Sequence, residues 1–344
     1  MRTLRLLLAL SALAVFPIAC GGDDAPDRPA TQDDPSGGEL TIYSGREKDL
    51  AGPLIERFQR QTNVDVEVRY ADSAELAATI LEEGDNSPAD VFFSQDAGAL
   101  GALGQEERLA KLDAEVLRRV PRRFRSARGD WVGASGRARI VAYDKRAVRE
   151  ADLPPSILDL TARRWRGKLG WAPTNASFQT FVTAMRLELG EDRTRRWLEG
   201  ILANDVQTYE GNTPIRDAIA SGEIELGLIN HYYVAEAVAE EGADYPVGVH
   251  VPEGDIGALV NAAGAGILTG AEHGAEAARF VRFLLSTEAQ RYFAQETKEY
   301  PLVAGVTADA SLVPLADIDQ PDVDLNRLTD LQGTVSLLQD VGAL

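Results

Sequence analysis

The sequence holds few of the residues that most often build redox and metal sites. It has one cysteine, three histidines and two methionines in 344 residues. The single cysteine, Cys20, excludes an internal disulfide. The histidines, His231, His250 and His273, do not form the His-Glu-x-x-His pair of zinc hydrolases. The run "GASG" at 133–136 is not the Gly-x-Ser-x-Gly turn of a serine nucleophile. Positive charge is also short. Thirty-five Lys and Arg against 54 Asp and Glu leave a formal charge of −19, which argues against a nucleic-acid binder. No internal repeat is visible, and after the N-terminus no further run suggests a membrane span.

What remains is ordinary soluble composition, 44% hydrophobic and 26% charged, at a length of about two domains. A core can form without staples. The first 20 residues, "MRTLRLLLALSALAVFPIAC", place Arg2 and Arg5 before an apolar run and then Cys20. This is the pattern of a signal peptide. Cys20 followed by Gly21 and Gly22 resembles a bacterial lipobox, with Pro17 where that pattern usually has Leu. The expectation is a chain lipidated at Cys20, extracytoplasmic, and held to the membrane only by that anchor. Residues 21–38 are rich in Gly, Pro and Asp and read as a disordered tether.

From Glu39 the pattern alternates between strand and helix. "ELTIYSG", "VDVEVRYA" and "ADVFFSQD" read as strands, with helices "KDLAGPLIERFQRQT" and "SAELAATILEEG" between them. A long strand-like stretch, "WVGASGRARIVAYDKR", precedes a second β/α series. That series contains "GKLGWAP", "NASFQTFVTAMRLELG", "VQTYEG", "NTPIRDAIASG" and "IELGLIN". "AGAGILTG" reads as a strand and "AEAARFVRFLLSTEAQRYFAQE" as one helix. A Pro- and Asp-rich surface wrap then leads to a last helix. Alternation of this kind means an α/β fold with ligands at the carboxyl ends of strands. "YSGR" and "FFSQD" fall there. So do Tyr232 and Tyr233, adjacent phenols where "GLIN" turns into a helix. A strand would send neighbouring side chains to opposite faces, but a strand-to-helix turn need not.

The ordered set "YSGR", "SPADVFFSQDAGALGAL", "SGRARIVAYDK", "GKLGWAPTNASF", "GNTPIRDAIASGEIELGLINHYY", "FLLSTEAQ" and "EYPL" resembles the ferric-iron-binding proteins of ABC transporters, over essentially Glu39 to Leu344. The resemblance implies a type II periplasmic-binding-protein fold, with two discontinuous α/β lobes, a hinge and an interlobe cleft. One lobe would hold 39–138 plus 263–314, the other 139–262 plus 315–344. It implies a monomer that binds Fe3+ and delivers it to a permease. Ferric iron is a hard cation that prefers oxygen donors, and binding expels the phenol protons.

The family's ligand pair matches Tyr232 and Tyr233, and Tyr143 matches a third tyrosine found in one branch. First-lobe ligands of relatives correspond to Glu47, Lys48 and Gln95, of which Glu47 could ligate. Tyr43 reads as buried. The resemblance further implies a synergistic anion, such as carbonate or bicarbonate. Arg46 and Arg137 are candidate donors to it, with Asn175, Ala176 and Ser177 at a helix start and the amides Asn212 and Asn230. Simple helix capping is the plainer reading of Asn175 and Asn212. His231 beside the phenols reads as neither base nor ligand. The competing functions are a solute-binding protein for an oxyanion, a polyamine or a sugar phosphate, and, more remotely, an extracytoplasmic hydrolase.

Overall fold

The computed structural model describes residues 37–252 and 254–344. The expected leader, Cys20 and nearly all of the tether lie outside the described residues. Ten strands occur among the described residues: β1 (Glu39–Ser44), β2 (Asp65–Tyr70), β3 (Val91–Ser94), β4 (Val132–Asp144), β5 (Leu169–Trp171), β6 (Gln207–Thr208), β7 (Leu226–Asn230), β8 (Val247–His250), β9 (Val260–Ile267) and β10 (Tyr300–Pro301). Their order is β2-β1-β3-β9-β4-β7-β5-β6, with β8 and β10 also paired to β4.

β4 organises this order because it serves two sheets. Residues from Val132 to Ala138 pair antiparallel with β9. From Arg139 to Tyr143 the same strand pairs antiparallel with β7, and from Val141 to Asp144 with β8. All thirteen of its residues are buried, as expected of a strand covered on both faces. The pairing changes between Ala138 and Arg139, where the Arg139 N–H donates to the Leu259 carbonyl. Val260, Asn261 and Ala262 pair with the first half of β4. They therefore lie in the sheet of β1 and β3, not in the second lobe where the sequence division put them.

The helices form where apolar spacing allows. In Lys48–Thr62, the residues Leu50, Leu54, Ile55 and Phe58 are buried on one face. The segment expected as one helix after β9 is two, Gly274–Leu284 and Thr287–Gln295. The break has a local cause: the Ser286 side chain accepts from the Ala289 N–H and starts a new helix. Helices Ala97–Gln105 and Glu191–Ala203 were not anticipated. The C-terminal wrap touches both halves. Asn326 Oδ1 accepts from Ala127 N–H, whereas Thr334 bonds Thr183 on the helix Ala176–Leu189. The tail is thus not confined to the second lobe.

Close approach of β4 and β9 needs glycine. A Cβ on Gly264 would lie 2.6 Å from the Val132 carbonyl oxygen, a backbone atom that cannot step aside. Gly264→Val is expected to lower unfolding free energy by about 2–3 kcal/mol, as overpacking does. The check is a urea titration, in which an unchanged midpoint would contradict this account of the strand pair.

Candidate metal site

β1, β3 and β7 end at Ser44, Ser94 and Asn230, and the segments that follow them meet. β7 passes into the helix Tyr232–Glu241 through a single helical residue, His231. This abrupt turn sets the Tyr232 and Tyr233 rings 4.3 Å apart at 30°, with both residues buried. Gln95 Nε2 donates to Tyr232 Oη at 3.5 Å, and Tyr233 Oη donates to Glu47 Oε1 at 3.2 Å. Each phenol from the β7 side therefore faces one residue from the β1/β3 side. Asn212, buried nearby, donates through Nδ2 to Asn175 Oδ1 at 3.5 Å.

Beneath the phenols is a buried charged cluster. Arg46 makes two bonds to Glu299, Nη1 to Oε1 at 2.8 Å and Nη2 to Oε2 at 2.7 Å. Its Nη1 also donates to Gln95 Oε1 at 3.3 Å. Both side chains of the ion pair are fully buried. Arg137 Nε stands 3.8 Å from the same carboxylate, too far for a hydrogen bond. Its three side-chain nitrogens have no hydrogen-bond partner. Arg139 donates to the Leu228 carbonyl at 2.6 Å and stacks near Phe178 and Phe181. Burial, with Arg137 close by, lowers its pKa to about 9.

A small cavity of about 10 Å³ lies among Arg137, Arg139, Ser177, Phe181, Asn230 and Asn261. That is on the order of one water-sized occupant. Ser177 Oγ and Asn230 Nδ2, like the Arg137 nitrogens, are buried without partners. Such groups are costly to leave unpaired, and here the donors share one small space.

Burial dominates the phenols. It raises Tyr232, although Arg137 and Arg46 pull the other way. It raises Tyr233 well above 10, with Tyr232 and Glu47 adding to the rise. Both are protonated at neutral pH in the absence of a cation. Burial also sets His231, whose pKa falls to about 4. Its Nδ1 accepts from Ala138 N–H at 3.1 Å, so Nε2 carries the proton and donates to the Lys298 carbonyl at 3.0 Å. Both ring nitrogens are spent on structure.

The remaining expected residues divide. Glu47 and Arg137 are at the site, as are Ser177, Asn212 and Asn230. Asn175 caps the helix Ala176–Leu189, accepting from Ser177 and Phe178 N–H groups, with Ala176 as its first residue. Arg46 is corrected: its paired donors are held by Glu299 and are not free for a planar anion. Tyr143 is also corrected. It pairs with Leu226, whereas Arg139 pairs with Asn230 beside the phenols. Four residues of strand separate them, about 13 Å. The Tyr143 ring lies against Gly248, where a Cβ would come within 2.4 Å of it. Tyr43 donates to Glu83 at 2.9 Å and is packed away from the site. Sequence reasoning missed Glu299, Arg139 and Asn261. Glu299 and Arg139 left a trace, in the "EYPL" and "SGRARIVAYDK" runs already used for the resemblance; Asn261 left none.

Burial alone would raise the Glu299 pKa, but Arg46 and Arg137 outweigh it and hold the group below 4.5. Its contribution to stability is therefore complete above pH 4.5 and is lost as acid takes the pH down through the folded value. Glu299→Gln leaves two buried guanidinium groups without an anion and is expected to cost about 3–5 kcal/mol. In denaturant titrations across pH, the gap from wild type should be widest above pH 4.5 and narrow below it. A gap that does not depend on pH would contradict the assignment.

Comparison with known proteins gives consistent results. The family model for bacterial extracellular solute-binding proteins matches residues 86–324. The major ferric iron-binding protein of Neisseria meningitidis serogroup B is 35% identical over 318 residues, covering 90% of this chain and 94% of the relative. The Fe(3+)-binding periplasmic protein of Serratia marcescens is 30% identical over 308 residues, covering 89% of this chain and 90% of the relative. Among solved structures, iron-bound HitA from Pseudomonas aeruginosa superposes with a TM-score of 0.85 at 34% identity, covering 89% of this chain and 99% of that one. The chain has the type II periplasmic-binding-protein fold and belongs to the bacterial extracellular solute-binding proteins, within their ferric-iron-binding group.

Proposed function

We propose that this extracytoplasmic protein captures ferric iron between its two β/α halves and hands it to an ABC transporter permease. The observation that carries the reading is the adjacent, tilted pair Tyr232 and Tyr233, each hydroxyl turned to a residue of the opposite half. Tyr232 and Tyr233 bind as phenolates, and Glu47 supplies a carboxylate from the other side. Three anionic oxygens match the charge of Fe3+ and its preference for hard donors. Gln95 orients Tyr232 and is not a ligand. Tyr143 has no part in the site.

A small oxyanion such as carbonate completes the coordination. Arg46, Arg137 and Arg139 bring three buried positive charges near the phenols, and Glu299 with the buried Asp96 near Arg137 offsets two of them. The surplus attracts an anion, and Arg137 has a planar set of donors to offer it. One anion oxygen enters the small cavity beside Ser177 and Asn230, with the rest toward the iron. An anion receptor without iron is the rival reading, favoured by those same unpaired donors. The phenol pair decides against it, because two protonated phenols add nothing that an oxyanion needs for charge.

Iron binding requires the raised phenols to ionise, so loading releases about two protons from this pair, and acid reverses it. Titrating the protein with a ferric chelate should give a visible phenolate-to-iron band, retained at neutral pH and lost as pH falls. Tyr232→Phe or Tyr233→Phe should remove most of the band and weaken binding on the order of 100-fold or more. Tyr143→Phe should leave both unchanged. Loss of iron on Tyr143→Phe, with Tyr232→Phe silent, would overturn the ligand set. Removing bicarbonate should shift the band, and Arg137→Leu should abolish that response. A band indifferent to bicarbonate in the wild type would rule out the anion.

A further inference from the structure

Six arginines occur within residues 118–128: Arg118, Arg119, Arg122, Arg123, Arg125 and Arg128. On a chain of formal charge −19 this is a reversal of local charge, and the ferric reading makes no use of it. Five of the six line one groove of about 670 Å³, all but Arg119. Asp322 and Asp324 line it too, but Asp324 is spent on Asn326. Arg118, Arg119 and Arg122 are exposed and have no ion pair among the described residues. Arg123 lies over Phe124, and its buried Nε has no hydrogen-bond partner.

We propose that this arginine face docks on the anionic phospholipid headgroups of the membrane to which the chain is tethered. Guanidinium groups pair with phosphate oxygens in a fixed fork, so a row of them suits phosphodiesters. A protein partner would need a buried apolar anchor in the patch. The exposed large apolar residues among those described are Leu81, Val249, Val313 and Leu344, and none lines the groove. Headgroups need only charge. The chain as a whole is acidic and repelled by an anionic leaflet, and this is its densest run of arginine, so this face is favoured to turn toward it. Sixteen residues separate Cys20 from Gly37, a contour of at most about 60 Å. A lipid-held chain would thus keep its folded part within reach of headgroups. The inference does not depend on what the cleft binds.

The test is co-sedimentation of the chain beginning at Gly21, which carries no lipid, with vesicles. It should bind vesicles containing phosphatidylglycerol at low salt, release at high salt, and ignore pure phosphatidylcholine. Each arginine removed should weaken binding about fivefold, so the Arg118→Gln, Arg119→Gln, Arg122→Gln triple variant should lose on the order of 100-fold. Its melting temperature should be unchanged. Equal binding to both vesicle types, no binding by the wild type, or an undiminished triple variant would overturn the proposal. So would displacement by inorganic phosphate at the lipid-phosphate concentration, which would make the groove a free-phosphate site. Binding seen only when the chain begins at Gly37 would also overturn it, because the aspartates of residues 21–36 would then be the occupant.

Discussion

A buried guanidinium needs a counter-charge, and at the junction of the two β/α halves three of them have one hydrogen-bonded carboxylate, Glu299, with buried Asp96 close enough for Arg137 to feel. Glu299 holds Arg46 through two bonds and stands near Arg137, with Arg139 a strand-step beyond. That arrangement follows from β4. Its alternation puts Arg137 and Arg139 on one face, and the change of pairing partner between Ala138 and Arg139 places one on each side of the sheet boundary. The buried surplus of positive charge then shapes what surrounds it. Phenols are close enough to feel Arg46 and Arg137, and unpaired donors gather around a space the size of one oxygen.

The ligand chemistry follows from the same electrostatics. Buried phenols resist ionisation, so an empty site stays neutral at the hydroxyls and does not trap weakly charged cations. A trivalent cation is the one that can offset the desolvation of two phenolates. The contacts from Tyr232 to Gln95 and from Tyr233 to Glu47 join the two halves through the atoms that would hold the metal. Closing the halves and completing the coordination are then a single event in the proposed cycle.

Much of the fold was legible because burial leaves a period. β1, β3, β7 and the helix Lys48–Thr62 read directly from apolar spacing, and the adjacent phenols of "LINHYY" pointed to a turn that puts two oxygens together. Other features are set by partners far along the chain. Arg46 and Arg137 looked equivalent until Glu299, 253 residues from Arg46, claimed one of them. Tyr143 looked like a ligand because it matches a third tyrosine of one branch of the family, and sequence does not tell which end of a long strand faces the cleft. Only the antiparallel register with β7 puts it at the far end. Asn175 took the plainer role, because a free helix N-terminus is answered by the nearest side-chain oxygen. The break at Ser286 was within reach of sequence, as a capping serine inside an apolar run.

In the proposed site iron sits on Tyr232 and Tyr233, and an anion lies between it and Arg137. Anomalous diffraction at the iron edge from ferric-loaded crystals tests this most directly. One peak is expected within bonding distance of both phenol oxygens and of a Glu47 oxygen, with a small planar density between that peak and Arg137, reaching toward Ser177 and Asn230. A peak beside Tyr143, or one bonded to neither Tyr232 nor Tyr233, would contradict it.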